Sequence, residues 1–288
     1  MATNPNSLGI GDCARLACIL EATARKAGNV TRFTDFDDLN YVDFLASALA
    51  IGPVMERAGE IGVGRAVLDG VVATRKVVAS NSNLGMLLLF APLAACDEVS
   101  EANVAGVLDR LTVNDSKYVF EAIRLANPGG LGEAPEQDVR EEPTLPLRQI
   151  MSLAADRDLI ARQYANGFRD VFEHVADLAH EPLEAAIIFC HLRLLAELGD
   201  THIARRCGAE ISDKAKQRAK ELLPLGWPRS KDWKSAFTAF DAWLRADGHR
   251  RNPGSTADLV AACLFVALRR GMIRFPLRFY GSTLRPTP

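Results

Sequence analysis

The chain has 288 residues, of which 48% are hydrophobic and 24% charged, and its formal net charge at pH 7 is −2. This length allows a sizeable core in one large domain or two. The near-neutral charge argues against a general binding surface for nucleic acid or for an anionic membrane, and no N-terminal pattern typical of a signal peptide is present. We therefore expect a globular protein with neither kind of partner.

The six cysteines are scattered, with neither a close pair nor the spacing of a zinc site. Most lie in apolar helical context, which is typical of small buried thiols. Because reduced thiols are typical of a reducing compartment, we expect a cytoplasmic protein.

Helical periodicity recurs along the chain, while the alternating patterns of strands are nearly absent. Apolar stripes predict helices over 16–24, over 41–49 with an end at Gly52-Pro53, over 63–78 and over 118–126. In the second half, helices are predicted over 160–178, 185–198, 212–223, 233–244 and 255–270. The sequence therefore predicts an all-α protein built around two or three buried helices.

Residues 81–95, NSNLGMLLLFAPLAA, are the most apolar stretch and predict a buried helix too short to cross a bilayer. Asn81, Ser82 or Asn83 could cap its first turn, and Gly85 would let a ligand approach the backbone. An N–H group left open there would attract an anion. The alternative is a capped core helix without a ligand. Pro92 is expected to kink the helix.

Residues 127–146 are rich in proline, glycine and acids, which is typical of a long loop. This loop is either a lid or a link between two helical lobes, 1–126 and 147–288. We expect one all-helical domain over 1–288, with these two lobes as the possible subdivision.

Three further stretches place polar residues beside the predicted buried helices. Over 26–38, Lys26 and Arg32 could hold phosphates. Asp35, Asp37 and Asp38 offer the hard oxygen ligands that Mg²⁺ accepts beside a nucleotide. The alternative is a loop whose acids cap the next helix.

The other two stretches span residues 199–208 and 251–265. Asp200 is expected to cap the next turn, and Ser255 with Asp258 forms the pattern of a capping box. Asp258 could instead face a metal ion held against a polyphosphate. Standard nucleotide loops and hydrolase motifs are absent from the sequence.

The four stretches, in this order, resemble the triphosphoribosyl-dephospho-CoA synthase (CitG/MdcB) family over residues 21–268. The family's first motif, with Glu, Ala, Lys-Pro-Gly and Arg, is matched here by Glu21, Ala24, Lys26-Ala27-Gly28 and Arg32. Its Asn-Thr-His-Lys-Gly is matched by Asn81-Ser82-Asn83-Leu84-Gly85, and its Asp-Thr by Asp200-Thr201. Its Asn-Pro-Gly-Gly-Ser-Ala-Asp is matched by Asn252-Pro253-Gly254-Ser255-Thr256-Ala257-Asp258.

The resemblance implies a helical transferase that joins Mg-ATP to 3′-dephospho-CoA, with attack of the acceptor hydroxyl on the ribose C1 of ATP and release of adenine. It implies Mg²⁺ as cofactor. For the assembly, a homodimer is one possibility that the sequence leaves open. By the resemblance, the catalytic residues are Asp200, Asp258 and Glu21. The expected nucleotide- and phosphate-binding residues are Lys26, Asn29, Arg32, Asn81, Asn83, Gly85, Asn252, Ser255 and Thr256. The expected metal ligands are Asp37, Asp38 and Asp258.

The sequence departs from the family pattern at Asn83 and Leu84, where the family has His and Lys. Losing the lysine should weaken phosphate binding there. In these positions the chain resembles a divergent branch, found in archaea and methylotrophic bacteria, that is associated with tetrahydromethanopterin-linked one-carbon metabolism. We therefore expect either the family reaction or a related transfer in the synthesis of that cofactor. The alternative is a non-catalytic nucleotide-binding protein.

Overall fold

The computed structural model describes residues 8–128, 136–180, 182–225, 227 and 230–280. Over these residues the chain forms fifteen α-helices and two 3₁₀ helices, and no β-strand, so the all-α prediction is confirmed there. The α-helices are α1 (Ile10–Thr23), α2 (Tyr41–Glu56), α3 (Ala58–Ile61), α4 (Val63–Arg75), α5 (Leu84–Ala94), α6 (Glu101–Asp109), α7 (Val113–Ala126), α8 (Leu147–Ala154), α9 (Leu159–Asn166), α10 (Arg169–His174), α11 (Leu183–Leu198), α12 (Thr201–Cys207), α13 (Ala209–Leu222), α14 (Lys231–Arg245) and α15 (Gly254–Arg269). The 3₁₀ helices are Val175–Ala179 and Leu223–Leu225.

The predicted end of the second helix at Gly52-Pro53 is wrong, because α2 continues to Glu56 through Pro53. A proline inside a helix removes the bond to the carbonyl four residues earlier. Here that carbonyl belongs to Leu49, whose side chain is exposed, so water can satisfy it.

The stripe over 160–178 is not one helix. Gly167 and Phe168 both adopt left-handed backbone angles, with φ of 73° and 63°. They end α9 and begin α10, and the stripe finishes in the 3₁₀ helix that follows. The Asn-Gly pair at 166–167 was the sequence signal for this end, since glycine is the residue that best tolerates positive φ.

The core is built on α5 and α15, as predicted from their apolar sequences. Every residue of α5 except Gly85 is buried, and the rings of Phe90 and Phe265 stack with centroids 4.9 Å apart. Pro92 leaves the carbonyl of Leu88 without its helical donor, and the buried hydroxyl of Tyr164 donates to that carbonyl at 2.6 Å. A side chain from α9 therefore repairs the helix at the proline.

Core residues from both sides of segment 127–146 pack into one cluster, which runs from Cys13 to Ile273. The division into two lobes stays a prediction. Five of the six free cysteines are buried, as expected for small thiols, and Cys207 is half-buried. Among the described helices, none combines the length and hydropathy needed to cross a lipid bilayer.

A second apolar cluster joins α11, α13 and α14. It holds the loop that follows α1. The Asp241 carboxylate on α14 accepts a hydrogen bond from Gly28 N at 2.7 Å, and Arg245 donates to the carbonyl of Asn29 at 2.7 Å. The predicted site residues of this loop are thereby held by a helix more than two hundred residues later in the chain.

Candidate functional site

A cavity of about 990 Å³ lies where α5, α12 and α15 begin, with α7, α8 and α9 along its other sides. Its volume is at the upper end of the usual range for small-molecule sites. Nine of the predicted site residues line this cavity: Glu21, Asn29, Asp38, Asn81, Asn83, Gly85, Asn252, Ser255 and Asp258. The other five do not line it: Lys26, Arg32, Asp37, Asp200 and Thr256.

The first turns of three helices face the cavity, through Leu84 and Gly85 of α5, His202 of α12, and Gly254 and Ser255 of α15. The first N–H groups of a helix have no intrahelical partners and carry partial positive charge. Most of these N–H groups are occupied by the caps described below, so the three helix starts contribute only their dipoles to this end of the cavity.

Asp258 lies at the centre of this end, against α5. An atom added at the Cβ position of Gly85 would come within 2.0 Å of Asp258 Oδ2, so the missing side chain of Gly85 makes room for the carboxylate. Burial, followed by the negative charges of Glu21 and Asp200, raises the pKa of Asp258 well above 3.8. A carboxylate with a raised pKa in a cavity is suited to proton transfer.

The predicted capping box of Ser255 and Asp258 is wrong. Helix α15 begins after Pro253 and has no cap from its own side chains. Its start is instead capped across the fold, because the Asp200 carboxylate accepts hydrogen bonds from Thr256 N and Thr256 Oγ1, both at 2.8 Å. Asp258 is left free of a capping role and faces the cavity.

Helices α12 and α15 cap each other. Asp200 also caps α12, as predicted, by accepting from Ile203 N at 2.8 Å, and Ser255 Oγ accepts from the backbone N–H of Thr201 and His202 at 3.0 and 3.2 Å. Buried Asp200 thus has both carboxylate oxygens occupied by the protein. This arrangement fixes two of the three helix starts relative to one another.

Glu21 forms a buried ion pair with Lys26, with Nζ 2.8 Å from Oε1. Lys26 Nζ also donates to the Glu21 carbonyl, and its side chain is fully buried. Burial raises the pKa of Glu21, and the positive charge of Lys26 opposes that rise. Lys26 therefore stabilises a carboxylate at the cavity rather than reaching the cavity itself.

The amide side chains of Asn81 and Asn83 make different hydrogen bonds at the start of α5. Asn81 Oδ1 accepts from Leu84 N at 3.2 Å and so caps α5, as one alternative predicted. Asn83 Nδ2 donates to Thr74 Oγ1 at 3.0 Å, which ties the start of α5 to α4.

A second amide pair lies on the opposite wall. Asn29 Nδ2 donates to Asn252 Oδ1 at 2.7 Å, and beside it His202 Nδ1 lies 3.0 Å from the Asn252 carbonyl. Because a carbonyl only accepts, Nδ1 carries the proton. Burial lowers the pKa of His202, so this imidazole is neutral at pH 7. Only the proximity of Asp200, two residues earlier, marked His202 in the sequence.

Arg32 and Asp37 lie away from the cavity. Arg32 stacks on Phe33 and Tyr280, with its guanidinium carbon 4.4 Å from each ring centroid, and lies 4.0 Å from buried Glu184. Asp37 is exposed, while the exposed Asp38 reaches the cavity edge. Among the described residues, no cluster of three or more histidine, cysteine or acidic side chains is arranged to hold a metal.

Four arginines outside the predicted site set also line the cavity: Arg75, Arg157, Arg205 and Arg206. Arg205 forms an ion pair with Asp158 at 2.8 Å, and Arg206 is exposed. The sequence signal was the Arg-Arg pair one turn after Asp200. These side chains add mobile positive charge to that of the helix starts.

Comparison with known proteins agrees with this geometry. The family model described as CitG: ATP:dephospho-CoA triphosphoribosyl transferase matches residues 7–274. The crystal structure of a proposed triphosphoribosyl-dephospho-CoA synthase from Archaeoglobus fulgidus is similar, with 27% sequence identity and a TM-score of 0.64. That match covers 79% of this chain and 99% of the archaeal chain. A search of curated proteins gives no match.

Proposed function

Because the chain belongs to the ATP:dephospho-CoA triphosphoribosyl transferase family, we propose that its cavity binds ATP and transfers the triphosphoribosyl group to a hydroxyl of a second, nucleotide-containing substrate. The observation that carries this proposal is the convergence of three helix starts on the Asp258 carboxylate within one large cavity. Cationic side chains for the triphosphate and a proton acceptor in the same cavity are what such a transfer requires.

The triphosphate binds at the polar end of the cavity. The arginines that line the cavity would donate charge-assisted hydrogen bonds to its oxygens, and the dipoles of α5 and α15 add to the attraction. Lys26 and Arg32, although predicted as phosphate ligands, act indirectly in this proposal. Lys26 holds Glu21, and Arg32 holds the loop between α1 and α2 against Glu184.

In the proposed reaction, the Asp258 carboxylate accepts the proton of the attacking hydroxyl. The hydroxyl oxygen then bonds to C1 of the ATP ribose, the C1–N9 bond breaks, and adenine leaves with that bond's electron pair and takes up a proton. Positive charge develops on the ribose during this step. The Glu21 carboxylate, which is held by Lys26 and lines the same cavity, stabilises that charge.

The residues at this end also fit a magnesium ion. Glu21 and Asp258 both line the cavity and would hold the ion together with phosphate oxygens of ATP, since the described residues form no cluster of three such donors. Asp38 is exposed at the cavity edge. Bound Mg²⁺ would neutralise charge on the triphosphate. Asp37 lies outside this set of donors.

For the second substrate we propose either dephospho-CoA or a related compound in tetrahydromethanopterin-linked cofactor synthesis. Support for a changed substrate comes from the start of α5. Leu84 is buried, and Asn83 is buried and bonded to Thr74, so neither offers a charge to a phosphate. A charged phosphate group of the second substrate therefore has fewer partners here than in relatives with His and Lys.

The test is adenine release from Mg-ATP, measured by chromatography with 3′-dephospho-CoA and then with pterin-cofactor intermediates. Asp258→Ala should lower the rate by about 10²-fold or more, as expected for loss of a general base. Asp213→Ala, at an exposed position on α13, is the matched control and should leave the rate unchanged. ATP binding without adenine release from any acceptor would instead support the non-catalytic alternative.

A further inference from the structure

Helices α7 and α8 give the cavity only apolar side chains. The largest are Phe120 and Ile123 of α7 and Leu147, Ile150, Met151 and Leu153 of α8. We call these six residues the apolar wall. They recur at intervals of three or four positions, so each helix turns one apolar stripe towards the cavity.

Part of this wall is exposed rather than packed. Ile123 and Ile150 are half-buried, and Leu153 keeps 47% of its surface exposed although it lines the cavity. Leaving aliphatic surface in contact with water is unfavourable. Apolar surface concentrated inside a pocket is typical of a ligand-binding wall.

ATP is poorly matched to the apolar wall. Its triphosphate requires the polar end of the cavity, and its reacting ribose carbon must lie near Asp258. The adenine ring carries hydrogen-bonding groups along its edges, and the apolar wall itself offers them no polar side chain; the polar side chains of Asn127, Gln137 and Arg157 line the cavity outside these two helices. The wall is therefore available to the second substrate.

We propose that the apolar wall binds an uncharged, mainly aliphatic arm attached to the nucleotide of the second substrate, and that it distinguishes this substrate from ATP. This inference rests on the proposed function, since it assigns the two ends of one cavity to two substrates. It makes Ile150 and Leu153 specificity-determining residues.

The test compares dissociation constants by titration calorimetry for three probes. Dephospho-CoA carries an uncharged arm on its nucleotide, ADP is a nucleotide diphosphate without that arm, and ATP is the proposed donor. We expect the wild-type protein to bind dephospho-CoA at least about tenfold more tightly than ADP, which is a modest gain for filling an apolar pocket.

Leu153→Asn and Ile150→Asn should each weaken dephospho-CoA binding about tenfold and leave ATP and ADP binding within about twofold. Leu125→Asn is the matched control, because Leu125 is 40% exposed on α7 and does not line the cavity. It should change none of the three affinities. Two separate wall variants are compared so that a folding defect in one of them does not decide the test. Thermal melting verifies the fold of each variant.

Equal wild-type affinities for dephospho-CoA and ADP would overturn the inference, and so would an equal loss of ATP and dephospho-CoA affinity in the wall variants. Failure of the proposed function looks different. Arm-dependent binding without adenine release would refute the transfer and keep the wall assignment. Adenine release with the same acceptor KM in all variants would keep the transfer and refute the wall assignment.

Discussion

Gly85→Ala tests the arrangement of the site directly. The added Cβ would lie 2.0 Å from Asp258 Oδ2 and 2.5 Å from its Cγ, so the carboxylate has to move by roughly 1 Å or more. A displacement of that size at a reacting group can lower a rate by about 10²-fold, and we expect kcat for adenine release to fall by about that factor. Stability should change little, because alanine is favoured over glycine in a helix by about 1 kcal/mol, which offsets part of the crowding.

The control is Gly106→Ala on α6, where the added Cβ would meet only Arg110 Nη1 at 3.5 Å. This variant should keep full activity and melt at the same or a slightly higher temperature. If Gly85→Ala acts through Asp258, it should cause little further loss in the Asp258→Ala background. A folded Gly85→Ala protein with wild-type kcat would refute the reasoning, as would an undiminished loss in the double variant.

Three further predictions concern charge and helix capping. Because the pKa of Asp258 is raised in the folded protein, the folded state is favoured while the carboxyl is protonated. This contribution to stability is complete below pH 3.8 and is lost as the pH rises through the raised pKa. Asp258→Asn should therefore melt roughly 2 °C above wild type at pH 8 and show no such difference near pH 3.5. Asp200→Ala, which removes the cap shared by α12 and α15, should lower the free energy of unfolding in urea by about 2–4 kcal/mol. Ser100→Ala, which removes a single cap of α6, should lower it by about 1 kcal/mol. Equal losses in the two variants would contradict the shared cap. Arg206→Ala should raise the KM for ATP about tenfold without changing the melting temperature, whereas Arg169→Ala, exposed outside the cavity, should leave KM unchanged.

The helices and the core could be predicted from the sequence because their signals are local. The buried character of α5 and α15 follows from apolar residues on all faces, and α11 was predicted within two residues at its start and to the residue at its end. Short helices such as α3 and α6 were missed, since a single turn or two carries little periodicity. The break at Gly167 was missed because the apolar stripe continues through it.

The grouping of Glu21, Asn252 and Asp258 in one site was predicted through motif resemblance, and the structure brings these three residues to one cavity. Periodicity and composition contain no such information. The assignment of catalytic, binding and metal roles among the site residues stays a prediction.

The sequence by itself determined where the chain is helical, which helices are buried and which stretches carry polar residues, because these properties depend on neighbours within one or two turns. Only the tertiary structure decided which polar groups meet. Ser255 and Asp258 have the spacing of a capping box, yet Asp200 supplies the cap from another helix and leaves Asp258 to the cavity. Gly85 and Asp258 come into contact across more than 170 residues of chain. Such contacts depend on how whole helices pack, and local hydrogen-bonding preferences do not determine them.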